Sequence, residues 1–193
     1  MSIPYTLGDF ELSLFTDGTY LIDGGAIFGV VPKVLWEKKA PTDDLNRIVL
    51  ACNSLLIRTG EKNVLVETGI GPKLSEKRRN IYQNTPQLPD NLRAGGIDPA
   101  DIDVVINTHL HFDHCGWNTC IEDGKVKPAF PNARYYVQRG EVEHGHLQLE
   151  RDRVSLAPHP PGPSATQFSP SPESASAPSR SPSTASPGRK SAK

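Results

Sequence analysis

The sequence lacks the marks of several protein classes. Its three cysteines are too few and too odd in number for a disulfide framework, and no CxxC pair is present. The N-terminus has neither the basic patch nor the continuous apolar segment of a secretory signal, and no run approaches the roughly 20 apolar residues of a membrane span. We therefore expect free thiols, no membrane partner and a cytoplasmic location.

An excess of basic residues is also missing. The net charge of the 193 residues is −1. Four of the 21 basic residues and one of the 22 acidic residues lie after residue 156, which leaves 17 basic and 21 acidic residues before it, a net charge of −4. A mildly acidic domain lacks the excess of basic residues that binds the phosphate backbone of nucleic acid. We expect a small-molecule substrate and no nucleic-acid partner, and the oligomeric state stays open.

The C-terminal segment lacks large aliphatic residues. Residues 157–193 hold nine of the 18 prolines and ten serines, Phe168 as their single aromatic residue, and no aliphatic residue larger than alanine. Such a segment cannot bury enough apolar surface to offset the roughly 1–2 kcal/mol per residue that ordering a backbone costs. The composition predicts a domain over residues 1–156 and a Ser/Pro-rich disordered tail over residues 157–193.

The apolar pattern before the tail predicts strands joined by turns. FELSLFTDG alternates apolar and polar residues, which predicts a strand that ends in a turn at Asp17-Gly18. RIVLACNSLLIRTG and VLVETG, residues 47–60 and 64–69, predict a hairpin. Residues 102–107 predict a core strand, and PNARYYVQ, residues 131–138, predicts another.

Helix formers lie between and after these strands. They are found in KLSEKRRNIYQ, residues 73–83, in DNLRAGG, residues 90–96, and in RGEVEHGHLQLERDRV, residues 139–154. The alternation of strands and helices indicates an α/β or α+β layered domain.

The stretch NTHLHFDHCGWN, residues 107–118, contains three of the six histidines. His109, His111 and Asp113 are spaced two apart, so extended backbone would place their side chains on one side, and His114 follows directly. Imidazole nitrogen and carboxylate oxygen suit Zn²⁺ at about 2.0–2.2 Å. The pattern predicts a metal site at the end of the core strand, with Cys115 packed behind the loop rather than acting as a nucleophile or ligand.

These residues carry a family resemblance. THLHFDHCG is similar to the signature of the metallo-β-lactamase superfamily. NSLLIRTGEKNVLVETGIG resembles the family's early hairpin, with Glu67 where aspartate is more usual, and FPNARYYVQRGEVEHG resembles the segment after the motif in the lactonase-like branch. The resemblance covers about residues 8–155 and implies the N-terminal half of an αββα sandwich.

The resemblance also implies roles for the four clustered side chains. His109 and His111 would be ligands of a first zinc ion, and Asp113 and His114 would be ligands of a second. In the family a hydroxide held by the metals attacks a carbonyl or a similar electrophile, and the residue equivalent to Asp113 orients that nucleophile or handles its proton. Zinc lowers the pKa of bound water to about 7, so this chemistry is available at neutral pH. Independently of the resemblance, Glu67 is either an ordinary structural residue or a carboxylate that acts indirectly by holding a histidine.

Ligands beyond these four are hard to find in the sequence. His144 and His146 are two apart in a predicted helix and would point to different faces, which favours a solvated helix. His159 stands between prolines in the predicted tail and fits a metal ligand poorly.

The strands before residue 156 suffice for roughly one sheet and part of another, which would leave an apolar sheet face in water. Family resemblance and hydrophobic periodicity both stop near Val154. This coincidence motivates the hypothesis that the chain is a truncated or frame-shifted form of a longer hydrolase.

The leading functional hypothesis is a metal-dependent hydrolase of lactones, esters or similar small substrates. Cleavage of thioesters, β-lactams or phosphodiesters would use the same cluster. An inactive metal-binding fragment is the alternative from another class, and an adaptor that binds a partner through its Ser/Pro-rich tail is a third.

Overall fold

A computed structural model of the chain describes residues 4–147, 155 and 168–170, the last three for the backbone alone. Nine strands are described: β1 Pro4–Leu7, β2 Phe10–Asp23, β3 Arg47–Arg58, β4 Asn63–Val66, β5 Val104–Ile106, β6 Thr119–Glu122, β7 Lys125–Pro128, β8 Arg134–Val137 and β9 Phe168–Pro170. Five α-helices are described: α1 Gly24–Phe28, α2 Lys33–Trp36, α3 Glu76–Tyr82, α4 Leu88–Ala94 and α5 Arg139–Leu147. None of the described helices could span a membrane.

Seven strands form one mixed sheet in the order β1-β2-β3-β4-β5-β8-β9. β1 to β4 pair antiparallel, whereas β4, β5, β8 and β9 pair parallel. β6 and β7 form a separate antiparallel hairpin. The mixed sheet with its helices confirms the predicted α/β layered fold class.

One face of the sheet is covered by helices. Leu56, Leu65, Val105 and Tyr135 come from four neighbouring strands and are 0–1% exposed. They pack in one cluster with Phe15 of β2, with Leu88 and Leu92 of α4, and with apolar residues from the loops, Ile97, Ile102, Phe130 and Ala133. We call this the covered face.

The opposite face carries the residues that alternate with those of the covered face. Strand alternation and the pairing register place twelve apolar residues there, all exposed or half-buried. We call this the open face, and its residues are Tyr5, Leu7, Phe10, Leu12, Leu14, Leu55, Ile57, Val64, Val66, Val104, Ile106 and Tyr136. The expectation of an apolar sheet face in contact with water is met in the described part of the chain.

Two details differ from the sequence prediction. The turn predicted at Asp17-Gly18 is wrong: β2 continues to Asp23, and the register with β3 shifts between Thr16 and Thr19. A bulge of this kind lets a strand bend without ending. The predicted tail lies largely outside the described residues, but the backbone of Phe168–Pro170 pairs in parallel with β8. The disorder of the rest of the tail, and the domain boundary at residue 156, stay predictions.

Candidate metal centre

The histidine loop, residues 107–115, begins directly after β5. The backbone N–H of Asn107 still donates to the carbonyl of Tyr136 in β8, at 2.9 Å, so the sheet extends to the first residue of the loop. Later in the chain, the carbonyl of Ser155 accepts from the N–H of Phe112 at 2.9 Å. The loop therefore rests on a rigid sheet edge, as the sequence predicted.

Three buried polar side chains hold the loop in shape. The amide of Asn107 donates to the carbonyl of His114 at 3.1 Å and accepts from the amide of Asn118 at 2.7 Å. The hydroxyl of Thr68 donates to Asn118 at 2.9 Å, and the N–H of Thr68 donates to the carbonyl of His114 at 2.7 Å. These bonds pair the buried polar groups with one another and with the carbonyl of His114. A buried network that is fully paired is rigid, so the backbone at His114 is held in place.

The side chains of the cluster lie together. The ring centroid of His109 is 4.6 Å from that of His111 and 4.0 Å from that of His114. Nε2 of His114 lies 3.4 Å from Oδ2 of Asp113. The structure thus brings the four predicted site residues into one small space.

Glu67 approaches His114 from the turn after β4. Its Oε2 lies 3.2 Å from Nδ1 of His114, and its Oε1 accepts from the N–H of Thr108 at 2.8 Å. Glu67 takes a left-handed φ of 66° in this turn. The indirect contact that the sequence suggested for Glu67 is present in the structure.

The two carboxylates set the charge of His114. Burial disfavours the protonated ring, but contacts with Asp113 and Glu67 outweigh burial and raise the pKa of His114 to about 9. Burial, together with the charges of the neighbouring histidines, lowers the pKa of His109. Within one cluster the pKa values of the two histidines are thus shifted in opposite directions, that of His114 upward and that of His109 downward.

Tyr20, which sequence reasoning missed, holds Asp113. Its hydroxyl donates to Oδ2 of Asp113 at 2.8 Å. Burial raises the pKa of Asp113, but the contacts with His114 and Tyr20 outweigh it and keep that pKa below its ordinary value. The Tyr20 ring packs edge-on against Tyr82 and Phe112, which hold the phenol in place. No local signal could have found Tyr20, since it lies 93 residues before Asp113.

Asp17 is a second residue that sequence reasoning missed. It is fully buried and accepts five hydrogen bonds of 2.8–3.0 Å, from the N–H groups of Ile70, Gly71, Gln87 and Leu88 and from the indole of Trp117. This carboxylate ties the turn after β4, the start of α4 and the segment after the histidine loop to one point. The Trp117 ring also packs against the core cluster of the covered face.

The turn after β4 and the end of the histidine loop pack backbone against backbone. The N–H of Gly116 donates to the carbonyl of Gly69 at 2.7 Å, and a Cβ on Gly116 would stand 1.8 Å from the carbonyl oxygen of Ile70. Nζ of Lys73 closes the junction by donating to the carbonyls of Gly116 and Thr119, at 2.8 and 2.6 Å. Burial lowers the pKa of Lys73 to about 8.

Cys115 packs behind the loop, as the sequence indicated. It is buried, and its thiol donates to the carbonyl of His111 at 3.2 Å. Burial raises the pKa of Cys115 to about 12, so the thiol stays protonated at neutral pH. A protonated thiol is a poor nucleophile and a poor metal ligand.

The donor types of the cluster fit zinc, but the described arrangement is incomplete. Imidazole and carboxylate are ordinary zinc ligands, and a catalytic zinc takes three of them. Across residues 4–147, 155 and 168–170, no group of three or more His, Cys, Asp or Glu side chains is placed to hold an ion. His159 lies outside the described residues. The assignment of His109, His111, Asp113 and His114 as ligands stays a prediction.

A sequence model of the metallo-beta-lactamase superfamily matches residues 47–173, more than half of the chain. The chain belongs to this superfamily. Among curated proteins it is 28% identical over 117 residues to an N-acyl homoserine lactonase of Bacillus cereus, a match covering 54% of this chain and 43% of that protein. It is 42% identical over 77 residues to the N-acyl homoserine lactonase AttM of Agrobacterium fabrum, covering 35% of this chain and 26% of that protein.

Solved structures of the superfamily share the fold. A probable metal-dependent hydrolase from Staphylococcus aureus matches with a TM-score of 0.77 and 32% identity, over 85% of this chain and 59% of that one. A dizinc quorum-quenching lactonase in complex with its product N-hexanoyl-L-homoserine matches with a TM-score of 0.62 and 26% identity, over 78% of this chain and 49% of that one. The chain thus spans about half the length of the relatives it matches.

Proposed function

We propose that this protein is a zinc-dependent hydrolase of lactones or similar small esters, with His109, His111, Asp113 and His114 as its metal ligands. The observation that carries the proposal is the convergence of these four side chains at the end of β5, in a chain of this superfamily. The curated relatives support a lactone as the substrate class.

The chain's own residues have distinct roles in this proposal. The hydroxyl of Tyr20 donates a hydrogen bond to Oδ2 of Asp113. The other carboxylate oxygen, Oδ1, can then bind a metal ion or accept a proton. Glu67 orients the ring of His114 through Nδ1, which directs Nε2 toward Asp113. Zinc, when bound, supplies Lewis acidity and a hydroxide source at neutral pH.

Zinc content and lactone turnover test the proposal together. After dialysis against zinc, the full chain is expected to retain up to two equivalents by atomic emission and to open N-hexanoyl homoserine lactone, followed by the acid released. His109→Ala should lose zinc and drop turnover to the background rate, because it removes one of the ring donors. His146→Ala is the matched control, since His146 is exposed on α5 and should change neither readout.

A second candidate is a metal-binding protein without turnover. It is favoured by the lack of a three-ligand group in the described residues. Zinc retained by the parent chain and lost in His109→Ala, with no lactone, thioester or β-lactam opened by either, would select this candidate. Equal zinc content in the parent chain and in His109→Ala would reject both.

A further inference from the structure

The backbone of the histidine loop leaves the sheet after Asn107. It bends at residues 108–109 and turns at residues 112–114, so the hydrogen-bond ladder of β5 does not continue through it. Each backbone N–H must then find an acceptor elsewhere, because an unpaired buried N–H is costly. The acceptors around the loop therefore decide the path of its backbone.

Three alternate N–H groups of the loop donate to acceptors outside it. Two of these acceptors are carboxylates, which bind an N–H more strongly than a neutral carbonyl does. The three bonds run from Thr108 to Oε1 of Glu67 at 2.8 Å, from Leu110 to Oε2 of Glu141 at 3.3 Å, and from Phe112 to the carbonyl of Ser155 at 2.9 Å. The loop is thus held from the turn after β4, from α5 and from residue 155.

Glu141 lies in the first turn of α5. This helix packs against the loop through Val142, which contacts a buried apolar cluster of Leu110, Cys115 and Val137. The packing places the half-buried Glu141 side chain beside the loop backbone. Its carboxylate therefore meets the loop from a helix and not from a mobile turn.

The bond to Leu110 acts on the histidines on both sides of it. The N–H of Leu110 and the carbonyl of His109 belong to one planar peptide unit, so an acceptor that holds this N–H also restrains ψ of His109 and φ of Leu110. The ring centroids of His109 and His111 are 4.6 Å apart. A rotation of that peptide unit would change the spacing of the two rings.

We propose that Glu141 is a positioning residue of the candidate metal centre, which sets the spacing of the His109 and His111 rings by holding the peptide unit between His109 and Leu110. The inference rests on the proposed function, in which both rings are zinc ligands. Hydrogen-bond partners that orient metal ligands typically change metal affinity about 10–100-fold when they are lost. We expect the lower end of that range, because 3.3 Å is long for a hydrogen bond.

Glu141→Ala removes the acceptor and tests the proposal. In the zinc-free chain, NMR should show hydrogen exchange of the Leu110 amide about tenfold faster than in the parent chain, since the local opening becomes easier. Zinc affinity, measured by competition with a coloured chelator, should fall about tenfold. Co²⁺ bound in place of zinc should give a changed visible absorption spectrum, because that spectrum reports the coordination geometry.

Three further variants keep the test decisive. Glu141→Gln keeps an acceptor oxygen and should restore most of the amide protection and of the zinc affinity. Glu143→Ala removes an exposed glutamate from the same helix and should change none of the three readouts. Alanine favours helix, so Glu141→Ala should fold, as circular dichroism will show. Glu141→Asp, whose carboxylate is one methylene shorter, should give the same losses if the alanine variant fails to fold.

Equal exchange of the Leu110 amide in Glu141→Ala and in the parent chain would overturn the proposal. Faster exchange with unchanged zinc affinity and an unchanged cobalt spectrum would overturn it too, since Glu141 would then stabilise the loop without positioning the donors. A parent chain that binds neither metal would overturn the proposed function and this inference with it. The two failures are distinguishable, because the parent chain still binds zinc when the inference alone is wrong.

Discussion

The two faces of the seven-stranded sheet differ although they use the same strands and the same residue types. Val105 is 0% exposed against the helices, and the next residue in β5, Ile106, is 37% exposed on the open face. Continuous apolar runs such as Val64, Leu65 and Val66 are typical of strands buried on both sides. The described residues bury only one side of these runs. The strands therefore carry more apolar side chains than the described part of the molecule buries.

The sharpest test of this difference removes the same atoms from each face. Leu65→Ala empties a fully buried position and is expected to lower the free energy of unfolding by about 3 kcal/mol, from lost burial and the cavity left behind. Urea titration measures this loss. A loss below about 1 kcal/mol would mean that the covered face is not a close-packed core.

A polar residue on the covered side should matter almost as much as an apolar one. Asp17→Asn keeps the size of the side chain but turns one acceptor oxygen into a donor facing N–H groups. We expect a loss of about 2 kcal/mol, because buried N–H groups are left unpaired. Trp117→Phe, which removes one of the five donors, is the control and should cost about 1 kcal/mol. Equal effects for the two variants would contradict the central role of Asp17.

The smallest effect is expected on the open face. Leu14→Ala removes as many atoms as Leu65→Ala, but from a residue that is half exposed. By urea titration it should cost less than about 1 kcal/mol, since little burial is lost. A cost equal to that of Leu65→Ala would show that the open face is covered within a single chain.

The sequence predicted the elements that depend on local patterns. The hairpin of β3 and β4 and the strand leading into the histidine loop follow from apolar patterns, and the helices α3, α4 and α5 follow from runs of helix-forming residues and end signals. The four clustered donors could also be predicted, because they lie within six residues of one another.

The contacts that shape the site could not be predicted in this way. Tyr20 meets Asp113 across 93 residues, and Asp17 meets Trp117 across 100 residues. Asp17-Gly18 has the composition of a turn, and only tertiary hydrogen bonds make Asp17 part of a continuing strand. When two side chains in contact lie this far apart in the sequence, the residues next to either one give no indication of the contact.

The contact of Gly116 with Ile70 has a consequence for how the molecule tolerates change. A carbonyl oxygen 1.8 Å from the place of a missing Cβ leaves no space for even a methyl group. Replacement by alanine would wedge two backbones apart, and His114, two residues upstream, would be displaced along with them. Position 116 thus accepts only glycine. The relative positions of the donor side chains in the histidine loop depend on that glycine.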